Sequence, residues 1–171
     1  MLFTSASANK YLKQLEAEKR LITSREMEAM AFTAATVENV DDVRPEYDFE
    51  TTQNALSEIE KKYLKVKHAL SVFNTTTKLV DFEYNRELTI DAALTYMAML
   101  TEKIEKLMRM AKLEAKKSYS YNNGLIVYKY TNYNPVDAAN AYQDAQAELH
   151  SLQLALDKAN NTITFEVDVE Y

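Results

Sequence analysis

The sequence predicts a mostly α fold: an antiparallel bundle of about four long helices with a short β-hairpin and a C-terminal strand appended. Three observations predict it. The stretch from Thr89 to Lys117 reads as one amphipathic helix, because Ile90, Ala93, Met97, Leu100, Ile104, Leu107 and Ala111 recur at spacings of three and four. Such a helix would be roughly 40 Å long, enough to span a small domain. Two further segments repeat the pattern at similar length. Finally, 171 residues hold one Gly and two Pro, so little interrupts long helices. We expect a single domain over residues 1–171, with the hairpin near 118–131 and the strand near 163–170.

The first helix is expected from a cap at Ser5 or Ser7 to about Met30. Its stripe, Leu12, Leu15 and Ile22, is thin, and Lys19 and Glu26 fall where it should continue. That pattern suits the outside of a bundle or a contact with another subunit. The segment from Ala31 to Tyr47 loses the helical period, and Pro45 keeps Arg44 out of the α region, so an extended loop is expected. Asp48 then caps a second helix, which runs to about Phe73 with Leu56, Ile59, Tyr63, Val66, Leu70 and Phe73 as its seam.

After the polar run Asn74-Thr75-Thr76-Thr77, residues Lys78 to Tyr84 read as a short strand or extended crossing. Thr89 starts the long helix, and Arg109, Lys112, Lys116 and Lys117 are expected in its last turns, where cations suit the negative dipole end. Asn122-Asn123-Gly124 reads as a tight turn between strands carrying Tyr119, Tyr121 and Ile126 to Tyr130. Asn134-Pro135 opens a fourth helix along Ala138, Tyr142, Ala145, Leu149, Leu152, Leu156 and Ala159. Asn160-Asn161-Thr162 is read as its stop, and Ile163, Phe165, Val167 and Val169 as one face of a terminal strand. Asn74-Thr75-Thr76-Thr77 and Asn160-Asn161-Thr162-Ile163 each follow a helix and precede an alternating segment, a candidate internal repeat.

Composition narrows the function. A net charge of −6 argues against a general nucleic-acid binder. Without cysteine there is no disulfide, thiolate metal site or cysteine nucleophile. No run approaches about 18 apolar residues, and the first residues lack signal-peptide order, so no membrane span is expected and the cytoplasm is the expected compartment. A single glycine leaves no phosphate-cradling loop. A di-iron bundle needs Glu-x-x-His pairs, but Lys65 and Ala147 stand three residues before His68 and His150. No nucleophile elbow occurs. The expectation is no metal, no cofactor and no catalytic residue.

The run Val72-Phe73-Asn74-Thr75-Thr76-Thr77 followed by Leu88-Thr89-Ile90-Asp91-Ala92-Ala93-Leu94 resembles a family of small uncharacterised proteins from bacteria and their phages, some labelled septicolysin-like. Ile126-Val127-Tyr128-Lys129-Tyr130 and Leu152-Gln153-Leu154-Ala155-Leu156-Asp157-Lys158-Ala159-Asn160 are similar to the family's aromatic segment and last helix. The resemblance covers roughly Asp48 to the C-terminus. It implies an oligomeric helical protein and supplies no catalytic residue. Lysis is not expected, since the stripes are seams between polar faces and no glycine-rich apolar insertion segment exists.

Two features remain as candidate binding chemistry. Lys103, Lys106, Arg109, Lys112 and Lys116 form a basic stretch, read either as a solvated flank or as an anion site. Twelve tyrosines are many for this length, and Tyr119, Tyr121, Tyr128, Tyr130 and Tyr133 cluster. Packing of the hairpin on the helices is one account of them; a stacking surface is the other. With Arg44, Asn74, Thr76 and Lys129 as polar donors, Tyr128, Tyr130 and Tyr133 would line a cleft between subunits for a small anionic ligand such as a nucleotide. The leading expectation is a non-enzymatic homo-oligomeric binding protein, in a phage-like setting a sequestering one. The alternatives are an assembly or protein-interaction module without a small ligand, and an unrecognised enzyme.

Overall fold

A computed structural model describes residues 1–81, 84, 86–120 and 126–170. The fold is mostly α with small antiparallel strand pairs, as the helical stripes predict. Its order is β1 (Leu2–Thr4), α1 (Ser5–Ala29), α2 (Val40–Val43), α3 (Phe49–Thr76), β2 (Lys78–Asp81), β3 (Arg86–Thr89), α4 (Ile90–Ala111), β4 (Lys116–Ser120), β5 (Ile126–Tyr130), α5 (Pro135–Thr162) and β6 (Thr164–Glu166). The chain forms two compact units, one of Met1–Phe73 with Asn160–Tyr171 and one of Asn74–Ala159.

In the first unit, α1 runs antiparallel to α3. Leu12, Val66 and Leu70 are buried on their seam, joined by Phe3 and Ala8 and by Val167 and Val169 beyond β6. β1 pairs with β6, placing Phe3 opposite Phe165. The Phe165 ring stacks on Phe73 at 4.7 Å, and the Tyr11 ring lies 5.5 Å from Phe3. Polar contacts flank the seam: the Tyr63 hydroxyl donates to Glu16 at 3.0 Å, and Lys19 pairs with Glu60 at 2.6 Å.

In the second unit, β2 pairs with β3 and the Ile90 amide donates to the Thr77 carbonyl at 3.0 Å, so the hairpin feeds straight into α4. Ile90, Ala93 and Leu100 of α4 are buried, as are Ala138, Ala145, Leu152, Leu156 and Ala159 of α5. At the far end the Tyr133 hydroxyl donates to the Met110 carbonyl at 2.9 Å, tying the entry of α5 to the exit of α4.

Several boundaries correct the sequence reading. Thr4 is the N-cap of α1, in a reciprocal box with Ser7, and it ends a strand that the sequence did not signal. The expected loop before Pro45 holds the one-turn α2, capped by Asn39. The first three residues of each asparagine run are helical: α3 continues to Thr76 and α5 to Thr162. Asn and Thr each cost at most about 0.7 kcal/mol relative to Ala in a helix, so a short run of them does not by itself stop one. α4 ends at Ala111, not Lys117. The Leu113 amide folds back to the Met110 carbonyl at 3.2 Å, and Lys116 and Lys117 belong to β4. Pairing of β4 with β5 takes their backbone groups out of the helix. The Asn122-Asn123-Gly124 turn lies outside the described residues.

The order strand–helix–helix–strand thus occurs twice, as β1-α1-α3-β2 and β3-α4-α5-β6. Placing Thr4 on Thr89 puts one N-cap on another, and then Ala8 falls on Ala93, Tyr11 on Tyr96 and Leu15 on Leu100. α3 and α5 are both 28 residues long. Placing their first residues together puts buried Val66 on Leu152, Leu70 on Leu156 and Phe73 on Ala159. It also puts Tyr47 on Tyr133, Asn74 on Asn160 and Thr76 on Thr162. The repeat glimpsed in the asparagine runs therefore extends through both helices of each half.

Candidate functional site

The residues singled out from sequence fall in three places. Arg44 lies in the first unit, just after α2, where its guanidinium sits 3.5 Å from Asp41 and 6.0 Å from the centre of the Phe32 ring. Asn74 and Thr76 lie in the last turn of α3, beside β2. The Asn74 side-chain amide oxygen is buried and has no hydrogen-bond partner among the described residues. Tyr128, Lys129 and Tyr130 lie on β5, and Tyr133 follows it. Within the second unit, the 22 residues of α4 put about 33 Å between the Asn74 end and the β4–β5 end. Within the second unit the chain therefore gathers only the β5 residues and Tyr133.

The β4–β5 hairpin is built by local pattern. Lys116 pairs with Tyr130, Lys117 with Lys129 and Ser118 with Tyr128, so alternate residues project to opposite faces. One face carries Lys116, Tyr128 and Tyr130; the other carries Lys117, Val127 and Lys129. The Lys116 ammonium lies 4.0 Å from the centre of the Tyr128 ring and 5.5 Å from that of Tyr130. The two rings stand 6.3 Å apart and tilted. A cation over two aromatic faces is a favourable and pre-ordered arrangement. Lys117 is instead paired with Glu114 at 3.3 Å.

All five residues of β5 are exposed, including Ile126 at 66% and Tyr130 at 62%. The account in which these tyrosines pack the hairpin onto the helices is therefore corrected: neither Tyr128 nor Tyr130 is buried. Tyr133 does pack, half-buried with its hydroxyl committed to Met110. Lys116 was legible as part of a basic stretch, but its place beneath two tyrosines was not, because helical spacing assigned it to α4.

The first unit has concavities of a different kind. A groove of about 320 Å³ between α1 and α3 is lined by Leu15, Ile59, Tyr63 and Leu64 and bridged by Lys19 and Glu60. A second lies where Tyr47 and Gln53 donate to the Glu26 carboxylate at 2.8 and 2.7 Å. The Glu26 carboxylate pushes the Tyr47 hydroxyl pKa up through that bond, as Glu16 does for Tyr63. These carboxylates accept hydrogen bonds from neighbouring side chains of the same unit.

Among the described residues no group of His, Asp and Glu could hold a metal ion, and no helix is long and apolar enough to cross a membrane. His68 and His150 are both exposed.

No protein-family model matches the chain, and no curated protein matches it. Its fold is similar to the crystal structure of a functionally unknown conserved protein from Corynebacterium diphtheriae, with a TM-score of 0.56 and 11% sequence identity. The likeness covers 97% of this chain and 100% of that one. At that identity it shows a shared fold and nothing of function.

Proposed function

We propose that this chain is a non-enzymatic binding protein whose working surface is the β4–β5 hairpin, and that the hairpin takes an anionic partner. The observation that carries the reading is the Lys116 ammonium held over the exposed rings of Tyr128 and Tyr130. Lys129 adds charge on the opposite face. A two-stranded ribbon is marginal in water without further packing, and this one leaves both faces of β5 exposed. Completion by a partner accounts for that exposure. A nucleotide would offer phosphates to the lysines and a base to the tyrosines; held between copies of the chain, it would be sequestered and not turned over.

The test uses the tyrosines as reporters, since the chain has twelve and no tryptophan. The full-length protein is titrated with ATP and with inorganic tripolyphosphate while tyrosine emission is followed. Saturable binding of both is expected, with ATP tighter because stacking adds to charge. Lys116→Glu with Lys129→Glu should weaken both by at least about tenfold, the loss of roughly one charged contact. Binding that is absent at millimolar ligand, or unchanged in that variant, overturns the reading.

A further inference from the structure

The two connectors that join the paired helices occupy equivalent places in the two repeats and carry opposite charge. Residues 30–48, between α1 and α3, hold five carboxylates (Glu38, Asp41, Asp42, Glu46 and Asp48) against Arg44. Residues 112–134, between α4 and α5, hold Lys112, Lys116, Lys117 and Lys129 against Glu114. Both connectors also expose apolar side chains. The acidic one shows Met30 at 62%, Val37 at 93% and Val40 at 46%. The basic one shows Ile126 at 66%, Val127 at 46% and Leu113 at 47%. Exposed apolar groups ringed by charge are the usual make-up of a docking surface. Opposite charges on two such surfaces favour their meeting and oppose like-with-like contact.

We infer that the anionic partner of the β4–β5 hairpin is the acidic connector of a second copy of this chain, so that copies associate head to tail. This rests on the reading of the hairpin as an anion-binding surface and names its occupant. A head-to-tail contact uses different surfaces on each copy, so it closes into a ring or extends as a filament. The apolar residues of the two connectors then cover one another, and the lysines lie against Asp42 and Glu46.

The experiment is sedimentation of the full chain over a range of concentrations at about 0.01 M and about 1 M salt. At low salt, species at multiples of 19.7 kDa are expected, shifting toward one copy at high salt as the charges are screened. Lys116→Glu/Lys129→Glu and Asp42→Lys/Glu46→Lys should each abolish association, and mixing the two variants should restore it by pairing the intact surface of each. All four side chains are exposed, and unchanged helical circular dichroism checks the fold. A single copy at every concentration in low salt overturns the inference. So does association that survives either variant, or a mixture that stays dissociated. The ATP titration of Asp42→Lys/Glu46→Lys separates the two proposals, since it leaves the hairpin intact. ATP binding retained by the unaltered full chain, with no self-association at any concentration, would leave the anion-binding surface standing and remove the second copy as its occupant.

Discussion

Ile59, Val66, Leu70 and Phe73 are buried along α3; the residues equally far from the start of α5 are Ala145, Leu152, Leu156 and Ala159, and they are buried too. The same burial pattern thus carries different volumes: Phe73 falls on Ala159, and Ile59 on Ala145. In the first unit the extra ring stacks on Phe165 of β6. Away from the seams the halves part further. One pair of helices is joined by an acidic segment with a single helical turn, the other by a basic hairpin. Packing holds the seam positions to one pattern, whereas an exposed connector costs little to change. Divergence therefore gathers where partners can reach it.

The largest expected effect tests whether the seams are equivalent. Leu70→Ala and Leu156→Ala remove side chains that are 5% and 7% exposed. Each should cost about 2–5 kcal/mol in urea unfolding. A cost below about 1 kcal/mol at only one of them would break the correspondence between α3 and α5.

Next in size are the two helix caps. The Thr4 oxygen accepts from the Ser7 amide and the Thr89 oxygen from the Ala92 amide, both at 3.2 Å. Replacing either threonine with alanine should cost about 1 kcal/mol. Thr4→Ala should cost the more, because it also removes the bond from the Thr4 hydroxyl to the Ser7 hydroxyl at 3.2 Å. Equal melting temperatures for the two variants would show that the bond between the two hydroxyls adds nothing.

The smallest effect separates the helix starts by pH. Asp48 caps α3, and hydrogen bonds from the side chain and backbone of Thr51 hold its carboxyl below the ordinary 3.8. Its folded pKa is lowered, so its stabilisation is fully present above that ordinary value and is lost as pH falls through the lowered one. The equivalent residue before α5, Asn134, accepts from the Val136 amide at 3.1 Å and does not titrate. Asp48→Asn should therefore flatten part of the acid limb of stability against pH. An unchanged acid limb would show that the cap contributes no pH dependence.

Much of this fold was legible because helical burial leaves a local mark. The spacing of Leu56, Ile59, Tyr63, Val66, Leu70 and Phe73 marks a face whatever that face packs against. Asp48 and Thr89 were readable as caps for the same reason, since a cap answers to amides two or three residues away. Of the candidate site, the tyrosines of β5 and Lys129 could be picked out by residue type. Lys116 could not be joined to them, because its partners lie across a turn and its own segment reads as helix.

By itself the sequence determined the long helices and their buried faces, set by contacts within a few residues, and marked the hairpin strand Ile126 to Tyr130 by residue type. Tertiary structure decided what depends on distant partners. Leu2–Thr4 becomes a strand only because Thr164–Glu166 lies beside it, at the other end of the chain. α4 stops at Ala111 because β5 offers β4 a ladder that competes with the helix. Periodicity records which residues are apolar and in what rhythm. It carries no record of which backbone groups, far apart in sequence, will find one another.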